Sequence, residues 1–121
     1  MARTVPGARP EQVVVTREFR VEGPAGKLRA RLRVYRDRTG LALRDPSGKL
    51  RARLGVGGGE ARLVLHDAGG KPRAGLYVDE HGSRLTLHDA TGKLRAGLYV
   101  DEDGPQLMLF DAARRPVWKA P

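Results

Sequence analysis

The residues of this chain that could do chemistry are, above all, basic side chains that alternate with apolar ones in two equivalent segments. Alternate residues of a β-strand lie on the same side of a sheet, so these side chains would form a basic stripe. Guanidinium and ammonium groups attract phosphates and other anions. The stripe predicts a polyanion-binding surface, and the competing interpretation is a solubilising face. Its members are Lys27, Arg29, Arg31, Arg33, Lys49, Arg51 and Arg53.

Catalytic and metal chemistry find less support. A nucleophile needs an adjacent base, and Ser47 and Ser83 both lie in or beside turns with no base at a suggestive spacing. The acidic residues recur with the internal repeat, whereas an active site needs a single asymmetric constellation. His66 and His88 occupy equivalent repeat positions, about 10 Å apart in a meander, too far to share a metal. We therefore expect neither an enzyme nor a metal site nor a cofactor.

The elements that must position the basic stripe come from a 22-residue repeat. The segments GKLRARLRV (26–34), GKLRARLGV (48–56), GKPRAGLYV (70–78) and GKLRAGLYV (92–100) superpose without a gap. Four-residue segments such as DPSG, DEHG and DATG separate the stretches of alternating residues. Asp at the first position and Gly at the fourth position of such a segment suit tight turns. These stretches alternate with period two, as strands do. The repeat predicts an all-β antiparallel meander of about ten short strands.

Loop length decides which side chains share a face, because a one-residue change in register moves a whole set across the sheet. Four-residue loops would pair Val100 with Pro105, Leu98 with Leu107 and Leu87 with Leu94, and would put nearly all the leucines on one face. Three-residue loops with a bulge would spread apolar stripes over both faces. We favour the first register because its leucine pairing recurs in every repeat.

A single sheet with one leucine face leaves too much apolar surface in water. We expect homo-oligomerisation, as a trimer or a filament among other assemblies, to bury it. The alternatives are a closed up-and-down barrel and a parallel β-solenoid. The solenoid ranks last because it would stack equivalent arginines about 4.8 Å apart.

Composition sets further limits. The chain has 121 residues and no cysteine, which allows a single domain over residues 13–121 without disulfides. Residues 1–12 are expected to form a flexible arm. The net charge of +9 arises wholly in residues 1–55. No signal-peptide core or spanning segment is evident, so we expect no membrane insertion and, by default, a cytoplasmic or virion-associated protein.

The D-x-x-G-K-x-R-A-x-L unit resembles repeats of bacterial and phage proteins, and the hairpin array over residues 19–119 resembles MORN-type repeats and the β-rich shafts of phage fibres. This resemblance implies a β-hairpin architecture. MORN units have a denser glycine and aromatic pattern, and this chain has six aromatic residues, so no functional residue carries over. We expect a non-catalytic structural module that self-assembles into a fibre, spike or scaffold, with polyanion binding as the alternative function.

Overall fold

A computed structural model describes Gly7 and residues 13–121, and its strands form one antiparallel ten-stranded sheet in chain order. The predicted all-β meander is confirmed. The only helical segment of the described residues is a short 3-10 turn, Pro24–Gly26. Apart from Gly7, the expected N-terminal arm (1–12) lies outside the described residues. The strands are β1 Glu18–Glu22, β2 Leu28–Tyr35, β3 Arg38–Arg44, β4 Leu50–Gly57, β5 Glu60–His66, β6 Pro72–Asp79, β7 Gly82–His88, β8 Leu94–Asp101, β9 Gly104–Phe110 and β10 Pro116–Ala120.

Two kinds of turn alternate at opposite ends of the strands. At one end, two-residue loops join paired residues, as where Asp79 pairs with Gly82. At the other end, an Asp begins a wider turn, in which Asp89 N–H donates to the carbonyl of Lys93 and Gly92 N–H donates to the carbonyl of Asp89. Gly92 has a φ of +90°, a conformation that costs glycine little. The two turn types explain why a complete repeat contains two strands.

The leucines lie on one face, as the favoured register predicts. Val100 pairs with Pro105 and Leu98 with Leu107. The expected pair of Leu87 with Leu94 is wrong, since Leu87 pairs with Ala96. The reason is a register shift after Leu87, where the wide turn begins. The same shift opposite His66 accommodates Pro72, which cannot donate to the ladder.

The closed barrel and the solenoid are both wrong, because the sheet is open and all its strand pairs are antiparallel. The central row of the polar face crosses the sheet in steps of eleven residues, through Arg31, Ala42, Arg53 and Val64. The rows beside it alternate shorter and longer steps that add up to the 22-residue repeat, as in Leu32, Leu41 and Leu54. These rows have no progressive stagger. Barrel closure needs a stagger of the hydrogen-bond register and tilted strands, so the regular repeat favours an open sheet.

The two faces differ in composition and burial. The apolar face carries a row of eight leucines, flanked by rows of alanine, valine and further leucine. Its large apolar side chains, from Phe19 to Trp118, are mostly 37–57% exposed. The polar face is opposite, and the four buried residues of the described chain form consecutive positions of its central row: Val64, Gly75, Thr86 and Gly97. The leucine row runs Leu32, Leu41, Leu54, Leu63, Leu76, Leu85, Leu98 and Leu107.

Candidate functional site

The arginine at the start of each long strand bonds to the backbone of the sheet. Arg51 Nε donates to the carbonyl oxygen of His66 at 2.9 Å, and Arg73 Nε donates to that of His88 at 2.8 Å. Each of these arginines also pairs with the Asp of the preceding wide turn, as Arg51 does with Asp45 at 3.6 Å. Charge-assisted bonds of this kind are stronger than neutral ones. The repeated arginine therefore joins two neighbouring wide turns.

This arrangement divides the predicted basic stripe into two groups. Arg29 Nε donates to the carbonyl of Arg44 at 3.0 Å, in the same way as Arg51. Both belong to the wide-turn end, where their counterparts Arg73 and Arg95 make the same bond in the neutral half of the chain. The two arginines thus have an architectural role that does not depend on any ligand.

The two lysines of the stripe also belong to the wide-turn end. The carbonyl of Lys27 accepts a bond from Gly23 N–H, and the carbonyl of Lys49 accepts one from Asp45 N–H. Their counterparts Lys71 and Lys93 donate Nζ to the carbonyls of Ala90 and Ala112 in the next turn. Lysine at this position thus lies along a line of turns, away from the centre of the polar face.

The wide-turn aspartates are turn caps. Asp67 Oδ1 accepts hydrogen bonds from the N–H groups of Gly69 and Lys71 at 2.9 and 3.0 Å. These backbone donors, with the charge of Arg73, lower the pKa of Asp67 below its ordinary value of 3.8. Asp89 has a lowered pKa chiefly because the Thr91 hydroxyl donates to it. Turn capping accounts for the recurrence of these carboxylates.

The remaining predicted arginines come together on the polar face. Arg31, Arg33 and Arg53 line a groove with a volume of about 490 Å³, together with Arg38 and Arg62. The small residues of β3 and β4 form its floor: Gly40, Ala42 and Gly55. We call this feature the arginine groove. It concentrates five cationic side chains above a floor with no side chain larger than a methyl group.

Few carboxylates neutralise the arginine groove. Arg31 Nε lies 3.7 Å from Glu18 Oε1, and Arg33 lies over the Tyr35 ring with 5.0 Å to its centroid. Arg38, Arg53 and Arg62 form no ion pair with any described residue, although Glu60 lines the same groove. The buried Nε of Arg53 has no hydrogen-bond partner in the described part of the chain. Such a cluster attracts anions.

In the later repeats, large side chains occupy the positions of the floor glycines Gly40 and Gly55. Across the sheet, the row containing Gly40 and Gly55 continues as Arg62, Tyr77, Arg84 and Tyr99. The Arg84 guanidinium lies 4.4 Å from the Tyr77 ring centroid, and that ring lies against Gly75. The groove therefore depends on the glycines of the first repeats.

The histidines do not assemble a metal site. Within residues 13–121 no group of three or more His, Asp or Glu side chains could hold a metal ion. His66 has a buried Nδ1 without a partner among the described residues. Its pKa is lowered, mainly by burial and also by the positive charge of Arg53. The pKa of His66 thus depends on the positive charge of the groove.

Sequence reasoning missed Arg62 and the glycine floor. Arg62 follows the Gly-rich turn and belongs to a short strand outside the GKLRARL segments, so alternation within one strand could not associate it with Arg53. The detectable signal is the register that the turns set: the tight turn pairs Gly55 with Arg62, and the next wide turn pairs Arg62 with Tyr77.

No known protein-family model matches this chain. No curated protein matches it either. The resemblance to phage and MORN-type repeats therefore stays a prediction. No helix of the described residues combines the length and apolar character needed to cross a membrane.

Proposed function

We propose that this chain is a non-catalytic structural module that assembles with copies of itself through the apolar face. The observation that carries the proposal is the row of eight leucines, which no other part of the described chain covers. Large exposed apolar patches are characteristic of interaction surfaces. Burial of such a face against a permanent partner is more favourable in free energy than its exposure to water.

The size of the apolar face suits a stable interface. Ten strands at about 4.8 Å spacing are about 48 Å wide, and five residues along a strand, with their side chains, span about 17 Å. The product is roughly 800 Å², which equals the area that each partner buries in a standard protein interface. Two such sheets stacked face to face would lie about 10 Å apart, as in a β-sandwich.

The pattern of side-chain sizes favours a second copy as the occupant. Beside the leucine row, one row alternates leucine with alanine, and the other alternates valine with a smaller residue. A copy displaced by one strand would place the large residues of one sheet opposite the small residues of the other. The first row includes Ala52, Leu65, Ala74 and Leu87; the second includes Val56, Ala61, Val78 and Ser83.

Charge substitutions on opposite faces of the sheet test this proposal. Leu76→Lys with Leu85→Lys places two charges in the leucine row, and Gln106→Lys with Met108→Lys adds the same charge to the polar face. Light scattering coupled to size exclusion gives the mass of each variant, and circular dichroism gives its fold. We expect only the first variant to lose the wild-type assembly. A first variant with the wild-type mass would count against the proposal.

We propose polyanion binding by the polar face as a second function, because the arginine groove supplies a concentrated, poorly neutralised positive charge. Binding that releases counterions weakens steeply as salt rises. Columns of heparin and of single-stranded DNA should both retain the protein, with elution well above ~0.15 M salt, where exposed charges are screened beyond about 8 Å. Passage through both columns at ~0.15 M salt would contradict this second function.

A further inference from the structure

We propose that the arginine groove binds the phosphodiester backbone of single-stranded nucleic acid without regard to base sequence. This inference rests on the proposed polyanion binding and names its site and ligand. The site comprises Arg31, Arg33, Arg53 and Arg62 around the glycine floor. The wide-turn arginines are excluded because their guanidinium groups already bond to carbonyl oxygens and aspartates.

The arrangement of the guanidinium groups suits consecutive phosphates. Arg31 and Arg53 belong to the same row, two strands and therefore about 9.6 Å apart at the backbone. Arg33 and Arg62 flank Gly40 and Gly55 in the neighbouring row, three strands or about 14 Å apart. Long side chains from these four corners can converge on anions above the floor. Arginine binds phosphate through paired N–H donors.

Packing within the chain does not explain the glycines of the floor. A Cβ at Gly40 would have only an ordinary contact, 3.8 Å from the Leu54 carbonyl oxygen, and one at Gly55 would lie 3.8 Å from Arg62 Nε. In contrast, a Cβ at Gly75 or Gly97 would collide with the ring of Tyr77 or Tyr99. Glycine weakens a strand and often marks close approach of a ligand. We infer that Gly40 and Gly55 leave room for a bound chain.

Glu60 favours nucleic acid over more densely charged polyanions. Its carboxylate lines the groove and would repel most strongly a polymer whose anions are closely spaced, such as inorganic polyphosphate or heparin. A nucleic-acid strand separates successive phosphates by a sugar, and the ring N–H or amino groups of its bases can donate to a carboxylate. The groove thus matches anions that alternate with hydrogen-bond donors.

The aromatic residues explain why base sequence should not matter. The Tyr77 ring has Gly75 on one side and the Arg84 guanidinium above it. The Tyr35 side chain is 52% exposed, but Arg33 and Arg36 lie over its ring, with 5.0 and 5.4 Å to its centroid, so a base would have to displace them. Base stacking needs an accessible ring face. Contacts to the backbone should therefore dominate.

Fluorescence anisotropy with labelled oligothymidylate and the intact protein tests the inference. We expect Arg53→Gln with Arg62→Gln to weaken binding at least tenfold and to reduce the salt slope by about 1.4, the value for two phosphate contacts. The control, Arg114→Gln with Lys119→Gln, removes the same charge at the far end of the sheet and should change affinity less than threefold. Gly40→Val with Gly55→Val should abolish binding without any change in charge.

Competitors and one further variant identify the ligand. Oligoadenylate should bind within about threefold of oligothymidylate, whereas polyphosphate and heparin should bind more weakly per charge. Glu60→Gln should remove that difference. Tighter binding of heparin or polyphosphate than of either oligonucleotide would overturn the assignment to nucleic acid but leave polyanion binding intact.

The binding of the groove variants decides whether the arginine groove is the binding site. If the wild type binds oligonucleotide and both groove variants bind equally well, the groove is not the site, although the second function survives. If the wild type binds no polyanion at all, the second function and this inference both fail. Circular dichroism of each variant shows whether lost binding comes from an unfolded chain.

Discussion

At the residue scale, arginine has two different roles in this chain. Arg51 and Arg53 are separated by one residue, yet Arg51 bonds to the backbone of the next strand end, and Arg53 lines the groove. The register shift in β3 and β4, where Arg44 pairs with Leu50, leaves Arg51 without a pairing partner and sets it apart. The sequence predicts a basic face at both positions, because alternation alone cannot reveal a register shift.

The electrostatic link between Arg53 and His66 allows a local test. Arg53→Gln removes a positive charge that lowers the pKa of His66. We expect the pKa of His66 to rise in this variant towards its ordinary value of 6.5, as measured by NMR titration. Arg95→Gln, whose guanidinium belongs to the wide-turn end near β9, should leave the titration of His66 unchanged. Equal shifts in both variants would refute the local contact.

The wide-turn aspartates predict a loss of stability in acid. Their pKa values are lower in the folded chain than the ordinary value of 3.8. Their contribution is therefore complete above that value and declines as the pH falls through the lower, folded pKa values. The midpoint of urea unfolding should be similar at pH 7 and pH 5 and clearly lower at pH 2.5.

A pair of carboxyl substitutions locates the source of this acid dependence. Asp67→Asn keeps an oxygen acceptor for the turn but removes the charge, so part of the dependence on pH should disappear. Glu102→Gln changes a carboxylate in a tight turn that accepts no hydrogen bond among the described residues. An identical pH profile for wild type and Asp67→Asn would contradict this role for the turn.

At the element scale, the sequence predicts the strands and the leucine face well. Leu98 and Leu107 recur with their turns in every repeat, so register and face follow from one spacing. The pair of Leu87 with Leu94 could not be predicted, because the Asp89–Lys93 hydrogen bond closes the wide turn and shifts the register there. The groove was predictable only in part. Its floor is formed by small residues of two strands, and the absence of a side chain gives no signal of a site in the sequence.

Glycines with different surroundings should respond differently to alanine. Gly75→Ala puts a methyl group where the Tyr77 ring lies, so we expect a loss of about 1 kcal/mol, the lower range for overpacking. Gly40→Ala meets only ordinary contact and should stabilise the strand by about 0.5 kcal/mol, since glycine is a poor strand former. Urea denaturation measures both changes. Equal effects at the two sites would contradict the packing described for Tyr77.

At the scale of the whole molecule, the chain is a one-dimensional array. Each strand is hydrogen-bonded only to its neighbours in sequence, so stability should be close to a sum over repeats and their junctions. Deletion of residues 67–88 removes two strands and rejoins His66 to Asp89, the same pair of residue types as at each original junction. We expect an eight-stranded sheet with cooperative unfolding and a β-type circular dichroism spectrum.

A shorter deletion provides the control. Removal of residues 67–77 takes out one wide turn and most of one strand. Two tight turns then follow each other, so the later strands would run in the opposite direction relative to the sheet. We expect this variant to unfold or aggregate. A stable fold for the eleven-residue deletion, or an unfolded chain for the 22-residue deletion, would contradict the array.

The two faces of the sheet give the molecule its proposed division of labour. The apolar face is continuous across all ten strands, whereas the arginine groove is confined to β2–β5. A face-to-face pair of sheets would bury the leucines and leave both grooves outward. Assembly and anion binding would therefore be compatible in one particle.

The mass of the wild-type protein in solution tests the central claim most directly. Multi-angle light scattering at micromolar concentration should give a multiple of the 13.2 kDa chain mass, because we propose that a second copy covers the leucine face. Circular dichroism of the same fractions should show β-structure. A folded 13.2 kDa monomer that persists at micromolar concentration would contradict the proposal that this chain assembles through its apolar face.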